Sequence, residues 1–304
     1  MAISRAQMLK ELLPGLNALF GLTYKSYDDE SKEIYETESS DRAFEEEVLL
    51  SGFGQAPVKP EGSAITYDTA QEAWTARYTH ETVAMGFAIT EEAIEDNLYD
   101  SLSARYTKAL ARAMSYTKQI KSAYPLNQGL PTVDNFDSGD AVSLFNTSHP
   151  RIDGGVNANT PATQTDLNET ALEQAVIDIA DFRDQRGLKI AARPRKLIIA
   201  PDNTFVATRI LDSELRAGTA DNDVNALRTN GSIPEGWRVN HFITDVDAWY
   251  IVTDVPNGMK HFTRAPLTTS MDSDFDTSNS RFKARERFSF GVSDPLGMYA
   301  SEGI

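Results

Sequence analysis

Hydrophobic and polar positions change their period repeatedly along this chain, and each change predicts an element. Met8, Leu9, Leu12 and Leu13 recur at helical steps behind Ser4, a residue type that caps helices, and Pro14-Gly15 is expected to end that helix. From Asp28 to Glu47 the periodicity vanishes: ten acidic residues stand against two basic ones, Lys32 and Arg42, with Ile34, Tyr35, Ala43 and Phe44 as apolar anchors. Such a stretch cannot form a core alone, and it reads as a solvated connector or as an extended arm docked on a neighbouring subunit. From Glu47 to Val83 two strand-like runs bracket a loop with Pro57, Pro60 and Gly62. In the return run Trp74, Ala76 and Tyr78 alternate with Thr75, Arg77 and Thr79. This long hairpin is marginal by itself and needs another surface to lie on.

Thr90, followed by Glu91 and Glu92, opens the clearest helix. Its apolar positions Ile94, Leu98, Leu102, Tyr106, Ala109, Ala113 and Ile120 carry it to about Ser122, a spine of roughly 50 Å. Residues 126–163 are rich in turn formers, with 141–145 the ordered part, and mark a boundary. A second unit follows. It has a helix opened by Asp166 and Glu169 in capping-box spacing, carrying Leu172, Val176 and Ile179 and stopped by Gly187. A strand, Leu197 to Ala200, is closed by Pro201, and Asp202 caps a helix with Phe205, Val206, Ile210 and Leu211. Strands are expected at 237–242, 248–253 and 259–263, the last two joined at Pro256-Asn257-Gly258. In 281–290, Arg281, Lys283, Arg285 and Arg287 face one way and Phe282, Ala284, Phe288 and Phe290 the other, with Glu286 out of pattern.

Charge changes the picture next. The formal net charge of −16 means that the surface as a whole repels phosphate, so sequence-specific DNA binding is disfavoured. With no cysteine, disulfides, thiolate zinc sites and thiol nucleophiles are excluded. The longest apolar runs, 197–200 and 249–252, fall far short of a membrane span, and no secretory signal precedes them.

The candidate chemistry is thin. Gly52-Phe53-Gly54 lacks the third glycine of a phosphate loop. His80, His149, His241 and His261 lie far apart in sequence and read as surface or packing residues. Asp272, Asp274 and Asp276 begin like a calcium loop, but Thr277 and Lys283 stand where glycine and glutamate belong. No catalytic, cofactor or metal residues are therefore assigned. The cations of 281–287 need anions opposite, and the acidic arm supplies a matching strip in this or a neighbouring subunit. The candidate intersubunit contacts are Glu45, Glu46, Glu47, Lys59, Arg281, Lys283, Arg285 and Arg287.

Acidic arm, long hairpin, spine helix, loop-bounded α/β unit and amphipathic closing strand, in that order, resemble the Johnson fold of tailed-bacteriophage major capsid proteins. The wording agrees as well. Residues 88–96 (AITEEAIED) look like the strand-to-spine junction of that family, and 144–150 (LFNTSHP) are similar to the entry into its axial domain. Residues 196–205 resemble the axial strand, proline and helix, and 285–297 the closing strand and its turn. Among branches the chain most resembles the Mu-like major head subunits. The resemblance implies an α+β fold divided into an N-terminal arm (1–43), an extended loop (44–83), a peripheral domain with the spine helix (84–140), an axial domain (141–262) and a return to the peripheral domain (263–304).

It also implies a non-enzymatic subunit that assembles with itself into hexamers and pentamers of an icosahedral shell around DNA, bound without specificity, its extended loop lying across an adjacent subunit. A separate scaffold protein is expected, because no scaffolding domain precedes the arm, together with a portal and a cement protein. The shell would be assembled in the bacterial cytoplasm. Lys59 stands where some members crosslink, but between prolines it reads as a solubilising tip residue. An encapsulin-like nanocompartment subunit shares the same fold. A soluble hydrolase using Asp245, Asp247 and Asp254 is the alternative from another class, and it leaves arm and hairpin unexplained.

Overall fold

The computed structural model describes residues 5–90, 92, 99–216, 223–273 and 279–304. Helix α1 (Arg5–Lys25) does not stop at Pro14. A proline inside a helix costs about 3 kcal/mol. Beyond it, however, Leu16 and Phe20 are buried against Leu110, Ala111, Met114, Phe282 and Ala284. Two such side chains contribute roughly 1.5–3 kcal/mol each, which carries the helix through. The predicted cap Ser4 lies outside the described residues.

The acidic stretch that follows is largely exposed but anchored to its own subunit. Ile34 and Tyr35 are core residues, and β1 (Glu36–Ser39) pairs in parallel with residues 260–263 of the same chain. Strands β2 (Phe44–Leu50) and β3 (Glu72–Thr79) form the expected hairpin, with a bulge between Val48 and Leu50. β4 (Glu81–Ile89) then leads toward the spine helix α2 (Tyr99–Gln128), whose predicted first turns at 91 and 93–98 lie outside the described residues.

α2 differs from its sequence reading in two ways. It continues past Ser122 and through Pro125 to Gln128, because Ala123 and Leu126 are buried. It also presents the opposite face to the subunit. Ser103, Thr107, Leu110, Ala111, Met114, Ser115, Gln119 and Ser122 are buried, while Tyr106, Ala109, Tyr116, Ile120 and Tyr124 are exposed.

The middle of the chain holds a short pair, β5 (His149–Pro150) and β6 (Val156–Asn157), then α3 (Glu169–Ala180). Asn168, not Asp166, caps α3, its side chain accepting from Ala171 N; Asp166 instead accepts from Ile304 N at 2.7 Å. Gly187, with φ +81°, serves a later turn and not the helix end. β7 (Pro194–Ile199), α4 (Thr204–Ala207), α5 (Ala226–Thr229), β8 (Trp237–Val239) and β9 (Trp249–Thr253) follow. Two long strands, β10 (Met259–Ser273) and β11 (Ser280–Val292), and the short β12 (Met298–Ser301) close the chain.

These strands make two four-stranded sheets, ordered β1-β10-β11-β4 and β12-β9-β7-β8. The expected turn at Pro256-Asn257-Gly258 is present, and it carries the chain from one sheet to the other; Asn257 takes φ +59° there and Gly258 lies against Gly297. β12 pairs with β9, so the last strand returns to the second sheet although 263–304 is expected in the first unit. The second sheet is buried on both faces. Leu197, Ile199, Trp249, Ile251 and Tyr299 pack toward α3, α4 and α5, while Ile198, Tyr250, Met298 and Ala300 pack on Leu126, Leu144 and Phe145. That double burial explains why its strands read as apolar runs without alternation.

Candidate intersubunit surfaces

In β11 the period-two pattern is realised. Phe282, Ala284, Glu286 and Phe288 are buried toward α1 and α2, while Arg281, Lys283 and Arg285 are exposed on the other face and Arg287 is half-buried. The lower half of that cationic face is covered by the hairpin. Tyr78 and Ala76 pack on Phe262, Tyr78 Oη lies 2.5 Å from Ser293 Oγ, and His80 Nδ1 lies 3.0 Å from Ser289 Oγ. Gly291 makes room for this, since a Cβ there would stand 2.6 Å from the Tyr78 ring. The upper half has small neighbours: Lys283 and Arg285 pair with Gly86 and Ala84 of β4 and with Ser270 and Thr268 of β10. Among the described residues neither cation has an ion pair.

The acidic arm does not fill this strip within the subunit. Its carboxylates go elsewhere: Asp29 to Lys118 (3.7 Å), Glu30 to His241 (2.6 Å), Glu33 to Lys196 (2.7 Å) and Glu46 to Arg77 (3.8 Å). Glu45 accepts from Ser40 Oγ at 2.7 Å. Arg287 meets the arm through the Ala43 carbonyl at 3.4 Å. On the covered half, Lys260 receives both Glu47 (2.5 Å) and Glu38 (3.0 Å). Burial opposes the Lys260 charge, but these two carboxylates outweigh it and hold the ammonium above its ordinary range. The subunit thus covers one half of the face with acidic strands and leaves the other half open.

The far end of the hairpin, residues 51–71, has no helix or strand and exposes Phe53, Val58, Ile65 and Tyr67 beside the exposed Lys59. Arg186 ties its return limb to the second unit through Asp68 (3.2 Å) and the Thr69 carbonyl (2.5 Å). Exposed apolar residues on a projecting segment mark a contact surface for another chain.

Sequence reasoning missed the role of Glu286. It lies on the apolar face of β11, its residue 4% exposed, with Oε1 taking no hydrogen bond among the described residues. Burial pushes its carboxyl up to about 7, Lys118 opposing and Asp29 adding to the effect. The departure from alternation was the available signal. His261, buried nearby and stacked on Phe290 at 4.4 Å, is pushed down to about 4 by burial and Lys118.

The aspartates of the hydrolase alternative do not converge. Asp247 and Asp254 stand at opposite ends of β9; Asp245 accepts from Asp247 N at 3.1 Å, and Asp254 accepts from Arg193 N at 2.7 Å. Asp274, Asp276 and Thr277 of the calcium-like run lie outside the described residues.

The model of the phage capsid protein family matches residues 72–301, from the return limb of the hairpin to β12. The chain belongs to the phage capsid protein family. Solved capsids share its architecture. The virus-like particle from Pyrococcus furiosus superposes with a TM-score of 0.53 at 11% identity, covering 96% of this chain and 99% of that one. The capsid of Myoviridae phage XM1 does so at 0.54 and 12%, covering 89% of each. The SrpI encapsulin of Synechococcus elongatus PCC 7942 does so at 0.52 and 7%, covering 90% and 86%. A comparison with curated proteins found no match. The fold is accordingly the Johnson-type α+β capsid fold, and the chain is a structural shell protein that assembles with copies of itself.

Proposed function

We propose that this chain is the major head subunit of a tailed bacteriophage, of the Mu-like branch, forming hexamers and pentamers of an icosahedral shell that encloses DNA. The observation that carries the reading is the family match over 72–301 combined with a subunit that leaves its hairpin end and half a cationic sheet face open. Residues 1–43 act as arm, 44–83 as extended loop, 84–140 and 263–304 as peripheral domain apart from β12, which joins the axial sheet, and 141–262 as axial domain. The extended loop lies across an adjacent subunit, and Lys283 and Arg285 take acidic residues of that neighbour. Each contact is weak alone, but several per subunit close the shell by multivalency and symmetry. A separate scaffold, a portal and a cement protein complete assembly in the bacterial cytoplasm, and packaged DNA is held without specific binding.

The similarity to an encapsulin favours one alternative, a nanocompartment subunit enclosing protein cargo. Electron microscopy of purified protein, alone and coexpressed with a candidate scaffold and portal, separates the readings. Shells that incorporate portal at one vertex support the phage head. Closed shells that exclude portal and take up an enzyme by its tail support the compartment, and a monomer under every condition contradicts both.

A further inference from the structure

The outward face of α2 is basic and apolar at once, in a chain whose net charge is −16. Tyr106, Ala109, Tyr116, Ile120 and Tyr124 recur at steps of three, four or seven and are exposed, the three tyrosines and the isoleucine by 44–56%. Arg105, Lys108 and Arg112 flank that stripe on one side, all exposed and without an ion pair among the described residues. Beside its C-terminal half runs a groove of about 600 Å³, with Tyr116, Ile120 and Tyr124 on one wall and Phe136, Phe288 and Phe290 among the other lining residues.

Spacing and charge together select the occupant. Apolar residues at three- and four-residue steps form the ridge that another helix packs into, and a charged flank parallel to such a seam sets the sign of its partner. Ala109 and Ile120 lie in the middle of the stripe, where a nucleic acid would want stacking surfaces or cations instead. We propose that this face docks an amphipathic helix with an acidic flank, contributed by a different polypeptide, which seats its apolar residues on the stripe and in the groove and sets its carboxylates against Arg105, Lys108 and Arg112. The site is on the helix side of the first sheet, away from the open cationic face, and it stands or falls independently of the shell reading.

The test uses the full chain in its purified assembly state. Fluorescence anisotropy follows two labelled synthetic four-heptad peptides, with leucine at the seam and either glutamate or lysine at the flanks. The glutamate peptide binds and the lysine peptide does not. Tyr116→Ser with Ile120→Ser, and separately Arg105→Glu with Lys108→Glu and Arg112→Glu, weaken the glutamate peptide roughly tenfold or more. Phe205→Ser, on an exposed residue of α4, leaves it unchanged. The charge-reversed variant gains the lysine peptide, which a merely misfolded one would not. Equal binding of both peptides, no binding of either, duplex DNA binding lost with the same cations, or loss of self-association in the serine variant would each overturn the proposal.

Discussion

The two sheets bury themselves differently. The second, β12-β9-β7-β8, is enclosed on both faces by its own subunit, and Trp249, Tyr250 and Tyr299 are each no more than 1% exposed. The first, β1-β10-β11-β4, is enclosed on one face by α1 and α2, and among the described residues its other face is covered only where the hairpin lies. The difference separates what holds the subunit together from what the subunit offers to others. A self-contained core responds to mutation by losing stability, while an open charged face responds by losing partners.

The largest expected effect sharpens this contrast. Tyr250→Ala removes a fully buried ring that packs on Phe145 and donates to the Leu126 carbonyl, and should cost about 3–5 kcal/mol of folding stability. Denaturant unfolding of the unassembled subunit measures it. Next comes the buried acid beneath α2. Because the folded-state value of Glu286 is raised from 4.5 to about 7, its contribution to stability is whole below pH 4.5 and is lost as pH rises to about 7. Glu286→Gln should therefore match the wild type at pH 4 and exceed it by about 3 kcal/mol at pH 8. Asp294, which burial pushes up to about 6, titrates in an overlapping window, so the difference between variant and wild type isolates Glu286. A pH-independent difference would contradict the assignment.

Smaller still is the hairpin's seat. Gly291→Ala forces the Tyr78 ring aside and should cost about 1–3 kcal/mol, read as faster hydrogen exchange in β2 and β3 while the second sheet keeps its protection. Unchanged exchange would mean that the hairpin is not anchored by that ring. At the bottom of the scale, Lys283→Glu with Arg285→Glu should shift folding stability by less than about 0.5 kcal/mol, since both side chains are exposed and have no ion pair among the described residues.

Legibility in the sequence followed the same division. β11 was readable because one face is buried within the chain and the other is not, so its hydrophobic period equals its structural period. The hairpin was readable for the same reason, and β7, β8 and β9 were readable as apolar runs, whereas β12 carried no strand reading. α2 was readable as a helix but not as a packed one. Its buried face mixes Ser103, Thr107, Ser115 and Ser122 with Leu110, Ala111 and Met114, while Tyr106, Ala109 and Ile120 of the predicted stripe are exposed, so the inference that apolar means inward failed at those positions. α1 passed through Pro14 because tertiary burial outweighed a local rule, and Asn168 displaced Asp166 as a cap because cap choice turns on a single backbone geometry. The sequence pairs the arm with the ladder in this or a neighbouring subunit, while within the subunit the arm's acids meet Lys118, Lys196, His241 and Lys260.

The central claim is that the uncovered half of the cationic face is completed by a neighbouring subunit. Sedimentation velocity with negative-stain microscopy, on wild type and the Lys283→Glu, Arg285→Glu variant purified under identical conditions, tests it most directly. The account predicts closed shells from the wild type and folded, unassembled subunits or capsomers from the variant. Shells of the same size and yield from both would contradict it.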